Sequence, residues 1–311
     1  MLNQTIDEII NSTLIQTAKE GNCFMSILTL VSSLLIIIIF LFNDNLRAPN
    51  YYFLLAIAIS ELLGSASIIA NYLLDKSESQ KENISFILNL MEIFSDFFVT
   101  LFITFIAYCI YILIVKSERD SNKKIKLFII TGTIVSVLYT TILAISHIHS
   151  GKKPENKLDY SKIKLGYFNT NQSTCQLIHY IIILIMTAVN IFFFSRTIIF
   201  LNSKNKQDKK NGYKLMKTRN LLINYPLIGT SWIILSLISF IIQKILSGKE
   251  TEQLRLIYIF IFVANLFTYL RGTFIFVIFI KSKKVTAIFY SIGACLYRCL
   301  KKINMNQMPS S

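Results

Sequence analysis

The chain has 311 residues, 53% of them hydrophobic and only 16% charged, with a mean hydropathy of +0.55; a water-soluble domain carries about 25% charged residues, so this balance points to lipid. The net charge of +15 does not argue for nucleic acid, because the basic residues sit in short loops between apolar runs rather than on one continuous face. Five Cys without a C-x-x-C pair exclude a zinc ribbon or a disulfide framework.

The first 22 residues are polar and mixed in charge, without the basic start and short apolar core of a cleaved signal. Residues 1–23 are therefore read as an extracellular N-terminus and the first span as an uncleaved insertion signal. A helix needs about 20 apolar residues to cross a hydrocarbon core about 30 Å thick. Seven stretches have that length: 24–42, 51–74, 86–115, 127–146, 177–201, 220–246 and 256–280. None shows the alternation of an outer-membrane barrel strand. The prediction is an all-α membrane protein, a seven-transmembrane helix bundle over 24–280, followed by a cytoplasmic tail over 281–311. In that tail Val285, Ile288, Phe289, Ile292, Leu296 and Cys299 recur at helical spacing, which predicts a short amphipathic C-terminal helix lying along the lipid surface. Cys295 and Cys299 are one turn apart near its apolar side, a candidate pair for S-palmitoylation.

Orientation follows from charge and from sequons. With the N-terminus outside, the inner loops and tail hold more Lys and Arg than the outer segments, as the positive-inside rule requires. The N-x-S/T sequons at Asn3, Asn11, Asn83 and Asn171 all fall on the side this makes extracellular. The destination is then the plasma membrane by the secretory route. Cys23 and Cys175 also face outward, at the mouths of spans one and five, where an oxidising compartment permits a disulfide between them. Cys109, inside span three, reads as packing.

Three stretches carry a family resemblance. Leu46-Arg47-Ala48-Pro49, followed by Ser60-Glu61-Leu62-Leu63-Gly64-Ser65, resembles the L-R-x-P…S-D-L-L-G-S segment of the slime-mould cyclic-AMP-receptor-like family of G-protein-coupled receptors, with Glu61 at the family's Asp. Tyr225-Pro226-Leu227…Ser231-Trp232 resembles its Y-P-L…C-W stretch in span six. Leu270-Arg271-Gly272 and the run to Phe279 resemble its L-Q-G…N-F-x-V-F segment, with Arg271 replacing Gln and Ile275 or Phe276 in the region of the Asn. The family's Cys near the outer end of span three, which bridges to the second outer loop, has no counterpart in residues 84–108. Span seven also lacks the N-P-x-x-Y of rhodopsin-like receptors, and Glu118-Arg119-Asp120 sits among loop charges. The resemblance implies a receptor that passes an extracellular ligand signal to a heterotrimeric G protein.

Charges inside spans are expensive and either pair or line a cavity. Glu61 and Arg271 lie at matching depths, roughly 14–15 Å from the cytoplasmic ends of spans two and seven at 1.5 Å per residue, and those spans are neighbours in a receptor bundle. A Glu61–Arg271 ion pair is expected, either as a switch between states or as a static packing element. Glu92 and Asp96, one turn apart toward the outer end of span three, share a face. With His179 and Tyr180 at the start of span five, and Trp232 in span six, they are candidates for binding a ligand. The alternative is interfacial polar residues at helix ends. Two carboxylates would attract a cationic group and repel a cyclic nucleotide. Pro226 predicts a kink in span six. Arg196 lies near enough to the cytoplasmic end of span five to snorkel.

The third inner loop, with Lys204, Lys206, Lys209, Lys210, Lys214, Lys217 and Arg219, suits an anionic leaflet or an acidic partner surface; ordinary positive-inside charge explains it equally. The competing functional class is a channel or transporter using Glu61 and Arg271 as an ion or proton path. No Gly/Pro-broken helix pair and no chain of ionisable groups favour that reading. No constellation in the spans points to an enzyme, a metal or a cofactor.

Overall fold

The computed structural model describes residues 2–46, 49–75, 82–116, 121–149 and 173–207, the isolated positions 234, 235, 238, 263, 266 and 267, and residues 269–280 and 285–286. Six helices follow in chain order: α1 Leu2–Leu41, α2 Pro49–Asp75, α3 Glu82–Val115, α4 Ser121–His149, α5 Ser173–Gln207 and α6 Arg271–Ile280. There is no strand among the described residues. Five helices are long and apolar enough to cross a membrane, over Lys19–Leu41, Tyr51–Leu74, Ile84–Ile112, Ile125–Ile145 and Ile181–Ser203. These match the first five expected spans to within a few residues. The expected sixth span lies outside the described residues except at positions 234, 235 and 238, and α6 is the end of the seventh stretch.

At the N-terminus the structure departs from the expected division. α1 runs unbroken from Leu2 instead of beginning near Phe24. Residues 1–20 contain neither Pro nor Gly, so no local signal ends the helix where its composition turns polar. α2 opens on Pro49, whose fixed φ suits a first helical position and whose missing N–H costs nothing there.

α1 and α4 turn large apolar side chains outward. On α1, Ser26, Thr29, Ser32 and Ser33 are buried while Phe24, Ile27, Leu28, Val31, Leu34, Leu35 and Ile38 are exposed. α4 presents Leu127, Ile130, Ile134, Val137, Leu138, Ile142 and Ile145 outward and buries Ser136. This is the reverse of a water-soluble helix and the pattern expected where lipid is the solvent. Hydroxyls of Thr100, Thr104, Thr140 and Thr187 donate to the carbonyl four residues back, which satisfies them without water.

α3 is the central element, packed on α2, α4 and α5, while α1 packs on α2 and α6. Phe98 and Phe102 on α3 stack at 4.1 Å; Phe53 of α2 meets Phe102 edge-on at 5.9 Å, and Phe128 of α4 stacks on Phe105 at 4.8 Å. The pairings fix direction. Phe97 meets Tyr139 and Phe105 meets Phe128, so α4 is antiparallel to α3. Phe97 clusters with Ile183 and Met186, and Tyr111 meets Phe193, so α5 is parallel to α3. Asn71 bonds Asn89 at 2.9 Å and Phe53 lies against Phe102, so α2 is antiparallel to α3. Thr29 donates to the Tyr269 carbonyl and Ser32 to Thr273 at 3.4 Å, so α6 runs parallel to α1.

Candidate functional site

Small residues bring α2 and α3 close enough for their polar groups to meet. Ser95 Oγ donates to the Ser60 carbonyl at 2.7 Å, and Ser60 Oγ donates to the Ser95 carbonyl at 3.4 Å. A Cβ on Gly64 would lie 2.5 Å from Ser95 Oγ and 2.8 Å from Ser95 Cβ, so only glycine permits this approach. A second close contact sets α6. A Cβ on Gly272 would lie 2.5 Å from Thr29 Cγ2, and the Tyr269 carbonyl next to it accepts the Thr29 hydroxyl.

Between these two contacts sits a buried ion cluster. Arg271 Nε donates to Glu61 Oε1, and Arg271 Nη2 donates to Asp96 Oδ1 at 3.0 Å. Arg271 is 3% exposed, Glu61 5% and Asp96 8%. A few residues along, Tyr269 OH donates to the buried Glu92 at 3.4 Å. Glu61 and Asp96 both lie near the middle of their spans, Tyr51–Leu74 and Ile84–Ile112. The order Glu92, Asp96 along α3 matches the order Tyr269, Arg271 along the chain, so this segment is parallel to α3 as well as to α1.

Energetically such a cluster stands or falls as a unit. Taking an ion out of water costs several kcal/mol, about what a well-bonded partner returns in the interior. Arg suits the position because its rigid fork of donors serves two carboxylates from two helices at once. One guanidinium bonds two carboxyl groups here, and a third, Glu92, lies one turn from Asp96 on α3 and accepts from Tyr269.

The expected Glu61 and Arg271 contact is thus present, and Asp96 joins it. Glu92 and Asp96 are both buried against the segment that carries Tyr269 and Arg271. α3 begins at Glu82, which sets Asp96 deeper in the span than a start at Phe86 implied. His179 takes part in a separate group. Its Nδ1 is hydrogen-bonded to the Tyr139 hydroxyl, the rings stack at 5.8 Å, and Tyr139 stacks on Phe97 at 4.1 Å.

Arg196 is exposed on α5 with its guanidinium 5.6 Å from the Phe192 ring centroid, an outward position consistent with snorkelling. Cys23 is buried on α1 and Cys109 half-buried on α3. Asn3 and Asn11 fall within α1 and Asn83 in the first turn of α3. Pro226, Trp232, Asn171, Cys295 and Cys299, and the side chains of Cys175 and Tyr180, lie outside the described residues. Val285 of the expected tail helix is buried in the main core, and Thr286 Oγ1 donates to the Ile280 carbonyl at 2.7 Å. Among the described residues no group of three or more His, Cys, Asp or Glu is disposed to hold a metal ion.

Sequence reasoning missed Asp96 as the second partner of Arg271, Tyr269 as a donor to Glu92, and Tyr139 as the partner of His179. No protein-family model matches the chain, and no curated protein matches it.

Proposed function

We propose that the chain is a seven-transmembrane receptor of the G-protein-coupled kind, carrying an extracellular ligand signal across the plasma membrane to a heterotrimeric G protein. The observation that carries this reading is the buried cluster of Arg271, Glu61 and Asp96, which ties the seventh segment to α2 and α3 at mid-span. Helix direction supports it. α1, α3, α5 and α6 are parallel and α2 and α4 are antiparallel to them, an arrangement that suits an odd number of crossings between α5 and α6. The apolar stretch 220–246 has the length for one crossing, which makes seven. The N-terminus is then outside by the positive-inside count, and the Lys-rich third inner loop faces the G protein and the anionic leaflet.

In this reading the ion cluster is the switch, and a ligand acts by changing its bonding. Glu92, Asp96, His179 and Trp232 remain the proposed ligand-facing set. The excess of carboxyl over guanidinium groups favours a ligand bearing a cationic group over an anionic cyclic nucleotide. The tail carries acyl groups on Cys295 and Cys299. The test is recruitment of a panel of nucleotide-depleted G-protein mimics in cells, comparing wild type with Arg271→Gln at matched surface level. Recruitment that the substitution changes supports the reading. If no mimic engages either form and purified chain in vesicles conducts ions, the channel or transporter reading replaces it.

A further inference from the structure

We infer that Arg271 has a second docking position, in which Asp96 remains its partner, Glu92 takes the place of Glu61, and the Tyr269 hydroxyl is the latch that holds the first position; that this exchange serves signalling rests on the receptor reading. Glu92 and Asp96 are four apart on α3, so their side chains neighbour each other on one face. Both are buried against the segment that carries Arg271. A guanidinium has five N–H donors, enough to keep one edge on Asp96 while the other exchanges Glu61 for Glu92. Glu92 Oε1 accepts from Tyr269, two residues before Arg271.

Leu270 lies between helical Tyr269 and α6, with its N–H on the Leu266 carbonyl and its carbonyl accepting from Phe274, each at 3.0 Å. The Tyr269 carbonyl is drawn to Thr29, and Gly272 follows at once. A side-chain hydroxyl on a helical carbonyl beside a glycine is a recognised cause of a local bend, and a few such residues suffice for a hinge. Moving one edge of Arg271 from Glu61 toward Glu92, with Asp96 kept as partner, draws α6 toward the N-terminal end of α3.

The latch has a signature that a merely structural hydrogen bond lacks. Tyr269→Phe and Glu92→Gln each weaken the same contact, yet they act in opposite directions. Tyr269→Phe frees the Glu92 carboxyl to accept from Arg271, whereas Glu92→Gln leaves no acid there for the guanidinium to pair with. The experiment is double electron–electron resonance on the full chain in lipid nanodiscs, with spin labels at Leu63 and Val277, both on exposed faces, in a background with the native cysteines replaced. Tyr269→Phe is expected to raise the population at the second distance about threefold to tenfold, the worth of one hydrogen bond. Glu92→Gln is expected to abolish that population, and the double variant to match Glu92→Gln alone. Shifts of the same sign in both variants, or one unchanged distance throughout, would overturn the inference. Both substitutions preserve shape, and the distances are read without a G protein. A chain that recruits no G protein therefore still shows whether Arg271 reaches the second position.

Discussion

A guanidinium keeps its charge in a protein interior, so Arg271, buried to 3% exposure, has to be balanced where it stands. Glu61 and Asp96 do this together. Replacing Glu61 by Gln or Asp96 by Asn is expected to cost about 3–5 kcal/mol, the usual penalty for breaking one side of a buried pair. The triple variant Glu61→Gln, Asp96→Asn, Arg271→Met is expected to recover most of that loss, because it removes the buried charges of the bonded cluster together. Thermal unfolding of the purified chain in detergent checks both: a triple variant less stable than each single one would show that these groups do not act as a unit. Depth arithmetic made Glu61 and Arg271 legible in the sequence, since each lies a similar number of residues from the end of its span. Asp96 was not legible as their partner. Counting residues gives depth but not the rotation of a helix about its axis, and rotation decides which side chain meets the arginine. The Tyr139–His179 contact escaped for the same reason.

Helices approach here through what is missing from their side chains. Gly64 lies against Ser95, Gly132 against the rings of Phe102 and Phe105, and Gly272 against Thr29. In lipid, where apolar surface gains little by leaving the solvent, such close backbone approach and interhelical hydrogen bonds supply the association. Gly272→Ala is expected to lower the unfolding temperature, by an overpacking cost of about 1–3 kcal/mol. Thr29→Ser in that background should restore most of it, since it removes the Cγ2 that the new methyl would meet at 2.5 Å and keeps the hydroxyl bonded to Tyr269. An unchanged melting temperature in Gly272→Ala would mean that α1 and α6 do not meet there. The spans themselves were readable, because a run of about 20 apolar residues is the length a hydrocarbon core demands of a crossing helix. The start of α1 was not. A polar stretch free of Pro and Gly gives no sign of where a helix should stop, and α1 extends to Leu2.

Direction of travel connects the helices to the whole molecule. α6 is parallel to α1 through Thr29, Ser32 and Gly272, and parallel to α3 through Tyr269 and Arg271. In the proposed receptor the segment carrying α6 is the last span, and first and last spans that point the same way put the two ends of the chain on opposite faces of the membrane. If the N-terminal face is outside, Asn3 and Asn11 are available to the glycosylation machinery. Treatment with peptide N-glycosidase is expected to increase electrophoretic mobility, and an Asn3→Gln/Asn11→Gln variant to show a smaller change. The receptor reading needs this odd-span, outward-facing arrangement, whichever ligand is recognised. Its most direct test is epitope accessibility in cells expressing the full chain with a different tag at each terminus. The N-terminal tag is expected to stain on intact cells and the C-terminal tag only after permeabilisation. Both tags staining on intact cells, or both only after permeabilisation, would contradict the parallel placement of the first and last spans and the receptor architecture with it.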